Sequence, residues 1–134
     1  LKHRLAIAFV KSENEVAILI VEDNAIVRRL IRRAIAHLAI DIYECEDGAD
    51  ALKAYEEHQP ALVLMDIRMP RLDGLAATRQ IMQRYPDARI IVVTDYDVDD
   101  LRTAAFAAGA SGYALKDNLT ELEKLVMEIK ARQG

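Results

Sequence analysis

Three short aliphatic runs, Val16–Val21, Ala61–Met65 and Arg89–Val93, limit what this chain can fold into. Each is apolar at consecutive positions rather than at every second one. A strand of that kind must be covered on both faces, as in a parallel sheet layered between helices. Two weaker strands fit at Ile40–Cys45 and Gly112–Leu115, and Asp41 and Glu44 give the first the polar character of a sheet edge.

Helix-period segments separate the strands. Val27, Leu30, Ile31, Ala34, Ile35 and Leu38 recur on one face, with Arg28, Arg29, Arg32 and Arg33 opposite, and Asp23 or Asn24 can cap the start. Leu119, Leu122, Leu125, Val126 and Ile129 form the stripe of the last helix. Helices also fit at about 49–58, 74–85 and 99–108, and Pro60 and Pro86 stand where a helix must stop before a strand. The pattern is strand then helix, five times over. Right-handed crossovers place such helices on both faces of one parallel sheet, an α/β doubly wound single domain spanning 16–132.

Sheets of this kind bind ligands beyond the carboxyl ends of their strands. Glu22 and Asp23 follow the first run, Asp66 the third strand, Thr94 the fourth and Lys116 the fifth. Carboxylates gathered at one edge repel one another, and a hard divalent cation relieves that repulsion. Magnesium suits the set: Asp23 and Asp66 would ligate it directly and Glu22 through a water. A carboxylate can also attack phosphorus to give an aspartyl phosphate. Phosphoryl transfer needs positioning and charge neutralisation more than covalent help. Magnesium, Lys116 and the Thr94 hydroxyl would supply these.

The same residues carry a family resemblance. Ile18-Leu19-Ile20-Val21-Glu22-Asp23-Asn24, Leu64-Met65-Asp66-Ile67-Arg68-Met69-Pro70 with Asp73-Gly74, Val92-Val93-Thr94, and Gly109-Ala110-Ser111-Gly112-Tyr113-Ala114-Leu115-Lys116 together resemble a response-regulator receiver of bacterial two-component signalling, over roughly residues 16–130. The resemblance implies a flavodoxin-like (βα)5 fold with strand order 2-1-3-4-5. It implies Asp66 as phosphoacceptor, Glu22 and Asp23 as the acidic pair for Mg2+, and the Arg68 carbonyl as a further metal ligand. It makes Lys116 the phosphate-pairing lysine, Thr94 the switch hydroxyl and Tyr113 the aromatic that moves with it. A histidine kinase or histidine phosphotransfer protein is the implied donor. The surface of the fourth helix, fifth strand and fifth helix is the implied output, with homodimerisation on phosphorylation as one use of it.

Some positions depart from the common pattern. Asp117 follows Lys116 where many receivers have a cis proline, so no cis bond is expected there. The Lys-Asp form with Glu22 resembles the subfamily often fused to helix-turn-helix DNA-binding domains. Asp95 follows Thr94 where a small residue is common, which places an extra charge near the phosphate. Arg68 and Tyr96 lie two residues beyond Asp66 and Thr94, positions that tune phosphate lifetime in the family; Tyr96 is expected to hinder the hydrolytic water.

Two rival readings use the same residues. An Asp-nucleophile phosphatase shares the strand-end Asp, magnesium and lysine. It usually wants an acid two positions after the nucleophile, where Arg68 stands, and no cap insertion is present. An unphosphorylated pseudo-receiver is opposed by the filled site. The protein is thus read as a switch rather than an enzyme.

The arginine face of the first helix reads as a solvated face, or else as a dock for an acidic partner. His3, His37 and His58 lack ligand spacing, and Met65, Met69 and Met82 read as filling. A net charge of -4 speaks against nucleic-acid binding by this chain. Cys45 is the only cysteine, and a reducing, cytoplasmic setting fits. No apolar run approaches the ~20 residues of a membrane helix. Leu5–Val10 lacks the cleavage site of a signal peptide. Residues 1–15 are an extension that fits an extra strand, a helix or a tail. A first residue of Leu rather than Met fits a fragment or a processed product, and the chain is expected to be either a stand-alone receiver or one cut from a transcription factor or larger sensor.

Overall fold

The computed structural model describes residues 16–133. The alternation becomes β1 (Val16–Val21), α1 (Ala25–Ile35), β2 (Ala39–Cys45), α2 (Ala51–His58), β3 (Leu62–Met65), α3 (Gly74–Arg84), β4 (Ile90–Thr94), α4 (Asp99–Ala107), β5 (Gly112–Leu115) and α5 (Leu119–Gln133). The strands form one parallel sheet in the order β2-β1-β3-β4-β5. The flavodoxin-like order and the edge position of β2 are as expected. The extra strand proposed for residues 1–15 lies outside the described residues.

Both faces of the central strands are dry. Ile18, Ile20, Leu62, Leu64, Ile91 and Val93 pack with Ile31 and Ile35 of α1 and with Leu122, Val126 and Ile129 of α5. Leu19, Val21, Val63, Met65 and Ile90 pack on the opposite side with Ala51 of α2 and with Ala77 and Ile81 of α3. Ile18, Leu19 and Ile20 are all 0% exposed, which is why β1 cannot alternate with polar residues. Each such side chain contributes about 1.5–3 kcal/mol on burial.

Element ends differ slightly from the expectations, for local reasons. The segment expected to be helical from residue 49 begins as a 3-10 turn, Gly48–Asp50, whose start Asp47 caps through Ala49 N. Of the two candidate caps for α1, Asn24 does the work: its Oδ1 accepts from Ile26 N at 2.9 Å and Val27 N at 3.0 Å. Asp23 is thereby left for other chemistry. Gln59, in the left-handed region at φ 43°, ends α2 just before Pro60. The Lys116–Asp117 bond is trans, as expected.

The arginine face is not simply solvated. Arg28 donates to Glu44 Oε1 at 2.8 Å and to the Glu22 carbonyl at 2.8 Å, and Arg32 Nη1 reaches Glu44 Oε2 at 2.7 Å. These two arginines clamp α1 to β2, while Arg29 and Arg33 remain exposed. Among the described residues, no helix is long and apolar enough to cross a membrane.

The start of α3 is set by Gly74, whose N–H donates to the Ile67 carbonyl at 2.7 Å. A Cβ there would lie 1.7 Å from the Asp66 carbonyl oxygen, a backbone atom that cannot turn aside. Gly74→Ala is therefore expected to destabilise the fold by about 1–3 kcal/mol or more. Urea unfolding would read this as a lower midpoint at an unchanged slope. An unchanged midpoint would show that this junction yields freely.

Candidate functional site

The sheet's hydrogen-bond ladder runs on past the strand ends and sets the site. Glu22 N donates to the Cys45 carbonyl at 3.1 Å, Asp66 N to the Val21 carbonyl at 2.9 Å, and Lys116 N to the Thr94 carbonyl at 2.9 Å. These backbone bonds hold the first residues of separate loops in register at one edge. Glu22, Asp66 and Thr94 are buried there, at 1%, 5% and 1% exposure.

Lys116 ties the carboxylates together. Its Nζ lies 2.7 Å from Glu22 Oε1 and 3.0 Å from Asp66 Oδ1. Asp66 Oδ1 also accepts from Ile67 N at 2.9 Å, and Glu22 Oε2 accepts from Asn24 N at 3.0 Å. Burial dominates the proton affinities of both acids. It lifts the Glu22 carboxyl to about 7, with the neighbouring Asp66 charge adding to the rise and Lys116 and the Asn24 amide opposing it. It also raises Asp66 above the ordinary aspartate value, against the pull of Lys116. Burial alone would lower the Lys116 ammonium, but its bonds to Glu22 and Asp66 outweigh that and raise it.

Asp23 stands exposed beside this pair. One carboxylate oxygen from each of Glu22, Asp23 and Asp66 can be chosen so that all lie within 4.8 Å of one another. Three oxygen donors at that spacing, two of them raised toward protonation by burial, fit a hard divalent cation such as Mg2+.

The remaining expected residues form a second layer across the loop after β4. Thr94 Oγ1 accepts from Tyr96 N at 3.2 Å. The Tyr113 hydroxyl donates to the Tyr96 carbonyl at 2.6 Å. The Arg68 guanidinium lies 4.5 Å from the centre of the Tyr96 ring, and that of Arg102 lies 4.6 Å from the Tyr113 ring. Arg102 also pairs with Asp97 at 3.5 Å. Asp95 is exposed.

Asp47 was not singled out from sequence. It is buried, and its carboxylate accepts three backbone N–H groups: Ala49 at 2.9 Å, Leu72 at 3.1 Å and Arg71 at 3.0 Å. Burial works against its charge, yet these three donors and the Arg71 guanidinium prevail and hold it below the ordinary aspartate value. The Asp47-Gly48 turn after β2 was a visible signal, but two of the three donors to Asp47 lie more than twenty residues away along the chain. Cys45 is buried, and burial pushes its thiol up to about 11, which favours the thiol over the thiolate.

A response regulator receiver domain model matches residues 18–129. The transcriptional regulatory protein DegU of Brevibacillus brevis is 36% identical over 124 residues, which cover 87% of this chain and 52% of that protein. The response regulator GacA of Pseudomonas aeruginosa is 35% identical over 121 residues, 88% of this chain and 56% of GacA. The chain thus spans about half the length of these curated relatives. Among solved structures, a LuxR-family two-component response regulator from Aurantimonas sp. superposes with a TM-score of 0.82 at 35% identity, covering 87% of this chain and 86% of that one. The receiver domain of the putative response regulator NarL from Mycobacterium tuberculosis superposes with a TM-score of 0.80 at 28% identity, covering 88% and 98%. With the fold, the strand-end site and these similarities in agreement, the chain belongs to the response-regulator receiver domains of two-component systems.

Proposed function

We propose that this chain is a phosphorylation-controlled switch in which Asp66 accepts a phosphoryl group from a histidine-phosphorylated kinase or phosphotransfer protein. The observation that carries this reading is the Lys116 ammonium, 3.0 Å from Asp66 and 2.7 Å from Glu22, two buried carboxylates with the exposed Asp23 beside them. A bare cluster of acids would repel a phosphoryl group. This one keeps a cation beside its acceptor oxygen.

In the transfer, an Asp66 carboxylate oxygen forms a bond to phosphorus as the bond to the donor's imidazole nitrogen breaks. The nitrogen keeps that electron pair. Glu22, Asp23, Asp66 and the Arg68 carbonyl would hold Mg2+, which when bound neutralises phosphoryl oxygens. Lys116 would leave Glu22 in part to pair with the phosphoryl group. Hydrolysis of the acyl phosphate resets Asp66. The turnover is of the chain's own phosphate, so the protein acts as a switch rather than as an enzyme on other substrates.

The second layer supplies the readout. Thr94 Oγ1 accepts from Tyr96 N in this structure and can turn its proton toward a phosphoryl oxygen. Moving that hydroxyl loosens Tyr96, whose carbonyl holds Tyr113 and whose ring holds Arg68. Tyr113 carries the change to β5, and Arg102 carries it to α4. The faces of α4, β5 and α5 are the proposed output surface, for dimerisation or for a partner domain. The relatives named as transcriptional regulators favour a DNA-binding output elsewhere in the full protein. Because Arg28 and Arg32 are engaged by Glu44, an acidic partner would meet Arg29 and Arg33 first. Residues 16–132 are the proposed signalling unit, preceded by residues 1–15 as an extension.

Incubation with acetyl phosphate and Mg2+ is expected to add one phosphoryl group by intact mass, and Asp66→Asn is expected to add none. Absence of the added mass, together with no binding of a beryllofluoride mimic, would sink the reading in favour of a fixed interaction module. Tyr96→Ala, by removing the ring that Arg68 stacks on, is expected to speed loss of phosphate by about tenfold, the equivalent of about 1.4 kcal/mol. An unchanged lifetime would remove Tyr96 as a shield.

A further inference from the structure

The loop between β3 and α3 carries two parts of the proposed site, the Arg68 carbonyl and the Arg68 guanidinium over Tyr96. It is held near its start by Gly74 N, which donates to the Ile67 carbonyl at 2.7 Å. Further along, Arg71 N and Leu72 N both donate to the Asp47 carboxylate. We infer that Asp47 is a positioning residue for the phosphoryl-acceptor site, anchoring the backbone of the Arg68 loop so that its carbonyl faces the metal.

Capping of the 3-10 turn does not account for Asp47. A cap requires only the bond to Ala49 N, which Oδ1 provides. The bonds to Arg71 and Leu72 cross from the β2–α2 turn to a different loop. Both carboxylate oxygens take part, Oδ1 with Leu72 N and Oδ2 with Arg71 N. Gly48 makes the same approach from the backbone side: a Cβ there would lie 2.3 Å from the Leu72 carbonyl oxygen. The turn is therefore built to touch this loop at two adjacent residues. The carboxylate has the charge state the task requires, since it stays ionised below the ordinary aspartate range despite its burial. A charged acceptor binds N–H groups more strongly than a neutral one. Groups that orient a metal ligand without touching the metal typically change its affinity about 10–100-fold when removed.

This inference rests on the metal-assisted reading of Asp66. Its test is calorimetric titration of Mg2+ into the unphosphorylated full chain, with each variant first shown to be folded by thermal melting. Asp47→Asn keeps Oδ1 for Ala49 and Leu72 but sets an amide donor against Arg71 N–H. It is expected to weaken Mg2+ binding about tenfold. At saturating Mg2+ its phosphorylation by acetyl phosphate is expected to return to the wild-type rate, a split that general loss of structure would not produce. Gly48→Ala, which wedges the turn from the loop, is expected to weaken Mg2+ binding likewise and carries the test if Asp47→Asn does not fold. Arg71→Ala removes the guanidinium but leaves the N–H, and is expected to bind Mg2+ like wild type. A folded Asp47→Asn with wild-type affinity would overturn the inference. So would an Arg71→Ala chain that shows the same loss, because the effect would then be one of charge. A wild-type chain that binds no Mg2+ would instead overturn the metal reading itself, and the inference with it.

Discussion

Burying Glu22 and Asp66 side by side is the arrangement on which the rest of this structure turns. Two carboxylates removed from water repel each other, and desolvation of each opposes ionisation. Lys116 relieves both with one ammonium, and its own burial is offset by the two bonds it makes. Such a triad holds only if the three backbones that bear it are fixed. The continuous ladder past β1, β3 and β5 fixes them, and that ladder in turn depends on central strands dry on both faces.

The loops beyond the sheet are braced against one another as well as against the core, where Ile67, Met69 and Leu72 pack. Asp47 and Gly48 meet the loop after β3, Arg68 meets Tyr96 in the loop after β4, and Tyr113 in β5 meets the same Tyr96 through its carbonyl. Each contact is polar or a cation on an aromatic ring, and each joins elements far apart in sequence. Such contacts can be exchanged at modest free energy, unlike the aliphatic packing below them. The proposed switching on arrival of a phosphoryl group would call for a firm floor and an adjustable rim, and that division falls at the strand ends.

Much of this was legible from the residues. The runs at 16–21, 61–65 and 89–93 became strands to within a residue, because apolar character at every position admits few other placements. Glu22, Asp66, Thr94 and Lys116 each stand at or directly beyond the carboxyl end of a strand, and a parallel sheet gathers such residues at one edge. Other features were not legible. Arg28 and Arg32 looked solvated because their partner Glu44 sits on β2, and helical periodicity does not report what lies across from a helix. Asp47 was not singled out because two of its three donors come from another loop.

What the sequence determined by itself was the kind of fold and the chemical types at its active edge. Hydrophobic period selects strand or helix locally, and a parallel sheet must place its strand ends together. Only the tertiary structure decided how the charges are shared. Lys116 lies between Glu22 and Asp66, Asn24 rather than Asp23 caps α1, and Asp47 reaches across to Arg71 and Leu72. Those choices depend on distances of a few ångströms between segments remote in the chain, and hydrogen bonding and Coulomb energy at that range follow geometry rather than composition.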